Sequence, residues 1–150
     1  MSEKVVKGAR ELGLDVRVER LEASTRTVGD AAKAVGCQEA EIAKSIVFVA
    51  DGDPIVCIAS GRHRIDTDKL ADALDVAELR QAGADEVRAA TGFAIGGVPP
   101  FGHGLPVVFD SALLDYEQVW AAAGDPYSLF RVSPRKLLGC TGATVADVGE

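Results

Sequence analysis

Two apolar segments joined by a short turn dominate the middle of the sequence. IAKSIVFVA (42–50) and IVCIAS (55–60) flank DGDP (51–54), whose aspartates, glycine and proline are typical of a turn. Both segments are apolar almost throughout, which predicts strands that are covered on both faces. We therefore expect a hairpin-like pair of strands at the centre of a sheet, with the rest of the chain built around it.

Helical and extended patterns alternate along the remainder of the chain. A helix with one apolar face is predicted from the N-terminus to Gly13, and Thr27 followed by Asp30 fits a capping box. The other predicted helices are VGDAAKAVG, DTDKLADAL, ADEVRAATG and a segment that begins at Ser133, and the other predicted strands are LDVRVERL, LPVVF, EQVWAAA and SLFRV. This order predicts one α+β domain over residues 1–150, built on a mixed sheet.

Composition narrows the class of protein. No window approaches the roughly 18 uninterrupted apolar residues of a membrane span, and the charged N-terminus lacks the apolar core of a signal peptide, so we expect a cytoplasmic protein without membrane contact. Cys37, Cys57 and Cys140 lack the spacing of zinc ligands and are expected to be free thiols. The net charge of −7 disfavours broad nonspecific binding to nucleic acid and leaves a local basic patch open.

A loop rich in glycine and proline precedes the predicted strand LPVVF. It combines residues that permit positive φ with residues that fix φ and remove a donor: Gly92, Gly96, Gly97, Gly102 and Gly104, and Pro99, Pro100 and Pro106. Such a loop is expected to be stiff and to expose backbone N–H groups. Neither a dinucleotide fingerprint nor a P-loop is present, so no nucleotide cofactor is indicated. The composition fits both a tight helix–strand connection and a ligand cradle.

Lys44 stands directly before SIVFVA, at the start of an apolar strand. Period-two alternation places its side chain on the same face as Ile46 and Phe48. A lysine in this position can reach water along its apolar stem and have no further role. Alternatively, it faces a negative or polarised group of a ligand.

Four segments in order, EIAKSIVF, TGFAIGGVPPFGH, VVFD and VWAAAGDP, resemble the YbaK/EbsC/ProX family of aminoacyl-tRNA deacylases, which is related to the editing domain of bacterial prolyl-tRNA synthetases. The resemblance extends from about Leu12 to Val148. It implies a strongly curved mixed sheet flanked by helices, and hydrolysis of the ester that joins a wrong amino acid to a tRNA. The family's strand-mouth lysine falls on Lys44, and its GxxxP loop falls on residues 96–100.

The resemblance implies a site without metal, cofactor or protein nucleophile. Lys44 would hold the terminal phosphate or the ester, and the backbone N–H groups of Gly96 and Gly97 would stabilise the oxyanion. His63 and His103 are the two conventional bases, and the loop residue His103 is expected at the surface. The expected substrate contacts are Ser45, Val98, Pro99, Pro100, Phe101, Ala122, Ala123 and Asp125. The segment GRHRID, with Arg62 and Arg64, fits both a basic lip that contacts the tRNA and a solvated turn, and Arg131 either extends that lip or lies at a strand end without a further role.

Two features bear on specificity. Alanyl-tRNA deacylases often carry histidine where this chain has Asp125, and cysteinyl-tRNA deacylases tend to carry serine at Ala122 or Ala123. The alanines at 121–123 suit a small aliphatic or hydroxylated amino acid on a tRNA(Pro)-type substrate. Expected partners are the tRNA acceptor end and, as a further candidate, prolyl-tRNA synthetase, for a monomer or weak homodimer. The alternative is a non-catalytic module that binds tRNA or an aminoacyl ligand and regulates or partners a synthetase.

Overall fold

The central hairpin forms as the sequence predicts. In the computed structural model, which describes residues 2–21, 27–125 and 127–150, β2 (Ile42–Ala50) and β3 (Asp53–Ser60) pair antiparallel, from Ala43 opposite Ser60 to Ala50 opposite Asp53. The run 55–60 in β3 is buried at every residue. The apolar pattern of the two strands therefore reflects a sheet covered on both faces.

The described residues contain eight strands and five α-helices. Besides β2 and β3 these are α1 (Ser2–Glu11), β1 (Val18–Arg20), α2 (Val28–Val35), α3 (Thr67–Leu74), β4 (Leu79–Gln81), α4 (Ala84–Thr91), β5 (Val107–Asp110), β6 (Val119–Ala122), β7 (Ser128–Val132), α5 (Pro134–Thr141) and β8 (Thr144–Ala146). Short 3-10 helices occupy Glu39–Glu41 and Ser111–Asp115. The Thr27 Oγ accepts a hydrogen bond from the Asp30 N–H at 3.0 Å, which confirms the predicted N-terminus of α2.

The strands form one mixed sheet in the order β1-β7-β6-β2-β3-β5-β8, with β4 paired to β2. The pairs β2–β6, β3–β5 and β5–β8 are parallel, and the others are antiparallel. The predicted strand LDVRVERL is wrong in length, because β1 lies at the sheet edge and only three of its residues pair with β7. β4 and β8 were not predicted, since three residues are too few to show alternation.

The outer edge of β2 is covered at its two ends and open between them. β6 pairs with β2 at Ile42 and Ala43, whereas β4 pairs with it from Phe48 to Ala50. Among the described residues, no strand covers the stretch 44–47 that lies between these contacts. We call this interruption the sheet gap.

Hydrogen-bond parity determines which backbone groups face the sheet gap. The Gly61 N–H donates to the Ile42 carbonyl oxygen, so the even-numbered residues of β2 bond to β3. The Val47 carbonyl accepts instead from the Ala82 N–H, on the other side of the strand. The N–H and C=O of Ser45 therefore point into the sheet gap, and neither bonds to a described residue.

Helices cover the sheet in three apolar clusters. The largest takes Val5 and Ala9 from α1, Val87 from α4 and Leu137 from α5. A second cluster forms around Leu70 of α3, and a third around α2. Within the described part of the chain, no helix is long and apolar enough to cross a membrane.

Candidate active site

A cleft of about 1140 Å³ opens at the sheet gap. Residues 44–47 of β2 line it, together with the ends of the two flanking strands, Gln81 and Ala122. Ile95, Gly96 and Val98 contribute from the glycine-rich loop, α2 contributes an apolar patch, and the basic segment 61–64 contributes from the end of β3. The cleft therefore lies where the sheet is interrupted, with the loop and the basic segment at its borders.

The sheet gap brings together side chains from both faces of β2. Lys44 shares a face with Ile46 and Phe48, which pack in the cluster around α3. Ser45 lies on the opposite face, where the loop residue Val98 packs with Val47 in the largest cluster. An uninterrupted sheet would separate these two faces. Here both line one cleft, so Lys44 and the loop share the same space.

Ser45 has unused hydrogen-bonding capacity. Its Oγ is buried and has no hydrogen-bond partner among the described residues. Its backbone N–H and C=O also face the sheet gap. Because buried polar groups are nearly always paired in folded proteins, this position is suited to a ligand or an ordered water.

Buried apolar side chains anchor the loop. Phe93, Val98 and Phe101 are each less than a tenth exposed, and the ring centroids of Phe101 and Phe130 are 5.6 Å apart. These anchors hold a backbone whose N–H groups at Gly96 and Val98 donate to no described residue. The loop therefore combines a fixed shape with free donors beside the cleft.

The backbone N–H of Gly97 is not free to stabilise an oxyanion. Its N–H donates to the Ala94 carbonyl oxygen at 2.9 Å, so it is already used inside the loop. Its φ is not positive, unlike that of Gly96 at +85°. Glycine is required here for a different reason, since a Cβ would lie 2.8 Å from the Asp125 Cα.

Asp125 organises a turn outside the cleft lining. Its carboxylate accepts hydrogen bonds from the Tyr127 N–H at 2.8 Å and the Ser128 Oγ at 3.2 Å. The Arg20 guanidinium approaches it at 3.9 Å. The aspartate therefore serves local structure, whereas its backbone packs against the loop at Gly97.

The other expected site residues divide into two groups. Lys44, Ser45, Gly96, Val98, Ala122, Arg62 and Arg64 line the cleft. Within the described ranges, the following lie outside its lining: Gly97, Pro99, Pro100, Phe101, Ala123, Asp125 and Arg131. Phe101 and Ala123 are core residues, and the Arg131 guanidinium stacks on Trp120 at 5.9 Å from the ring centroid.

A buried carboxylate–imidazole pair beside the cleft was not anticipated. His63 lines the cleft, and its Nε2 lies 2.6 Å from the Asp110 Oδ2. Asp110 has no exposed surface and also accepts from the N–H groups of Ser60 and Ala112. In the sequence, the only indication of this pair is the aspartate that ends VVFD, because its partner His63 lies 47 positions earlier.

His103 is half-buried rather than at the surface as expected. Its Nδ1 accepts from the Leu105 N–H, and burial lowers the pKa of the ring, an effect that the Pro100 carbonyl partly offsets. Burial also raises the pKa of the Cys57 thiol to about 12, and the Asp110 carboxylate adds to this effect. Among the described residues, no cluster of histidine, cysteine or carboxylate side chains could hold a metal ion.

Residues 22–140 match the family model of the aminoacyl-tRNA editing domain. Since this match covers most of the chain, the protein belongs to that family. The resemblance identified from the four sequence segments is thereby confirmed.

Individual relatives agree with the family. YwhH of Bacillus subtilis (strain 168), whose function is uncharacterized, is 35% identical over 123 residues, which cover 80% of this chain and 78% of YwhH. A proline–tRNA ligase of Streptococcus equi subsp. equi (strain 4047) is 27% identical over 140 residues, 91% of this chain and 23% of the ligase. The similarity to that enzyme thus concerns one part of a much longer protein.

A solved structure confirms the fold. A protein assigned provisionally as a trans-editing enzyme for prolyl tRNA synthetase superimposes with a TM-score of 0.93 at 45% identity, covering 99% of this chain and 96% of that one. The predicted α+β fold with a mixed sheet is therefore correct.

Proposed function

We propose that this protein is a trans-editing deacylase that hydrolyses the ester of a misacylated tRNA. The observation that carries the proposal is the shared lining of one cleft by Lys44, Ser45 and the loop residues Gly96 and Val98. These residues supply a positive charge, unpaired polar groups and backbone donors to a single space. Membership of the editing-domain family supplies the reaction class.

Hydrolysis of an aminoacyl ester needs few catalytic groups. An aminoacyl ester is activated, so positioning and stabilisation of the developing oxyanion account for most of the required catalysis. The free N–H groups of Gly96 and Val98 are the candidate oxyanion donors, in place of the Gly97 N–H. Lys44 is exposed at the cleft and holds the terminal phosphate or the ester as a point charge.

The cleft also suits the proposed substrate. Its volume of about 1140 Å³ slightly exceeds that of ordinary ligand sites, so it has room for an aminoacyl group together with its terminal nucleoside. Ala122 and the α2 residues Val28 and Ala31 give it small apolar walls. Walls of this kind favour a small amino acid. Similarity to proline–tRNA ligases favours a tRNA(Pro)-type substrate, and the proposed partner is the tRNA acceptor end in the cytoplasm.

The test is deacylation of a panel of tRNAs mischarged with small amino acids. Lys44→Ala should lower the single-turnover rate by roughly 10²–10³, comparable to the loss of an oxyanion donor. Lys33→Ala is the matched control, because it removes an exposed charge of α2 that does not line the cleft. Both variants should keep the wild-type melting temperature.

Two results would contradict the proposal. Wild-type turnover by Lys44→Ala would reduce that lysine to a surface residue. Binding of tRNA by the wild type without hydrolysis of any panel member would favour a non-catalytic module.

A further inference from the structure

The His63–Asp110 pair has a geometry that the proposed reaction can use. Asp110 is fully buried and accepts three hydrogen bonds, of which the shortest comes from the His63 Nε2 at 2.6 Å. A carboxylate at this distance keeps the imidazole proton on Nε2. The unprotonated nitrogen of a neutral His63 is then Nδ1.

A glycine holds the face of the ring. A Cβ on Gly149 would collide with Cγ, Nδ1 and Cε1 of His63 together. An atom in the plane of the ring would meet Nδ1 well before both of its neighbours, so the contact is with the ring face. Gly149 is itself fixed, because its carbonyl oxygen accepts from the Lys69 Nζ at 2.7 Å and the adjacent Glu150 N–H donates to the Arg64 carbonyl.

The Nδ1 atom of His63 has no hydrogen-bond partner among the described residues and does not belong to their buried unpaired polar atoms. The His63 side chain keeps 15% of its surface exposed, and the residue lines the cleft. His63 follows the end of β3 that pairs with the start of β2, since Ala43 lies opposite Ser60. The ring and Lys44 therefore belong to the same end of the hairpin and to the same cleft.

We propose that His63 is the general base of this site and that Asp110 is its positioning residue. The inference rests on the proposed deacylase function. A water molecule gives a proton to Nδ1 as its oxygen bonds to the ester carbonyl carbon. The tetrahedral intermediate expels the ribose oxygen, which takes that proton from the imidazolium. The products are the free amino acid and the tRNA hydroxyl.

Several charged groups influence the ring. Asp110 contacts the ring directly. The Lys69 ammonium, 3.3 Å from the Asp147 Oδ2, is the main cause that lowers the pKa of Asp147, and the nearby His63 adds a smaller effect in the same direction. Arg62 and Arg64 flank it on its own segment, and Lys44 lines the same cleft. All of these groups influence the pH at which the deacylation rate is half-maximal. The test therefore compares this midpoint between variants and does not rely on its absolute value.

The experiment is a pH–rate profile of single-turnover deacylation. His63→Gln keeps an amide that can donate to Asp110 and removes the titrating nitrogen. It should lower the rate by about 10²-fold or more and abolish the fall in rate on the acid side, where His63 is protonated. The amino group of the substrate also titrates, and any pH dependence of the rate that it causes persists in His63→Gln. The difference between the pH–rate profiles of the wild type and this variant therefore isolates the contribution of His63.

His103→Gln is the matched control, since His103 is the other of the two histidines in the sequence. It should retain the acid limb. A second measurement needs no variant of His63. The NMR titration midpoint of the His63 ring in the wild type should coincide with the kinetic midpoint of the acid limb.

The outcomes separate the two proposals. An active wild type with an unchanged rate and acid limb in His63→Gln, or with NMR and kinetic midpoints that differ, reduces His63 to a hydrogen-bond donor for Asp110 and leaves the deacylase proposal intact. A wild type that is inactive on the whole panel overturns both.

Discussion

The two segments that border the cleft are held by different forces. The glycine-rich loop at 93–105 is anchored by buried aromatic and aliphatic side chains, and its backbone packs against Asp125. The segment 61–66 is held by polar contacts with distant residues, among them Asp110 and the backbone at 148–150. Apolar side chains fix the backbone shape of the glycine-rich loop, whereas hydrogen bonds fix the orientation of the polar groups in segment 61–66. Perturbing each one separately should therefore give different kinetic signatures.

Among the substitutions that perturb how these two segments are held, Gly97→Ala is expected to have the largest effect. The new Cβ meets the backbone of Asp125, which cannot move aside cheaply, so the loop must shift by a fraction of an ångström. Such a displacement should reduce the deacylation rate by about 10²-fold and cost about 1–3 kcal/mol of stability. Rate and melting temperature are measured together.

Gly139→Ala is the matched control for this change. A Cβ at Gly139 meets nothing within 4 Å in helix α5, and alanine there should raise stability by about 0.5–1 kcal/mol with no change in rate. Full activity in Gly97→Ala would show that the loop is not a rigid part of the site.

A smaller effect is expected from Gly149→Ala. The added Cβ meets the His63 side chain rather than backbone, and it does not touch the loop. We expect a rate about 10-fold lower, by analogy with other losses of positioning, with the acid limb displaced but present. The pH–rate profile checks this, and an unaltered profile would mean that the ring orientation is unimportant.

The smallest effect on activity is expected from Asp125→Ala. This change removes the acceptor of the Tyr127 N–H and the Ser128 Oγ and should cost about 1 kcal/mol. The rate should stay within about twofold of wild type, because the side chain lies outside the cleft lining. A large loss of rate at unchanged stability would assign Asp125 a direct role with the substrate. Urea unfolding and single-turnover rates distinguish the two cases.

Features that depend on neighbouring residues could be predicted from the sequence, whereas features that depend on distant residues could not. The hairpin, the helix caps and the unusual loop were predictable because each depends on neighbours in the chain, such as Thr27 with Asp30. The family motifs pointed to Lys44 and to the loop. The sheet gap could not be predicted, since it depends on where β6 ends and where the three-residue β4 begins.

Long-range partners account for the other differences. His63 and Asp110 are 47 positions apart, and nothing local indicates that they pair. Positive φ does not explain the glycine at 97, which is required because the backbone of Asp125, 28 positions later, approaches it closely. Pattern alone could not reveal contacts of this kind, because they join residues that are far apart in the sequence.

The sheet gap has a consequence for hydrogen exchange. Amides in the middle of a buried hairpin normally exchange only through large-scale opening. The Ser45 amide should be an exception, because it points into the cleft and bonds to no described residue. Occupation of the cleft should slow its exchange, which makes this single amide a label-free reporter of binding. Since that signal requires no turnover, it can register an uncleavable analogue as readily as a substrate.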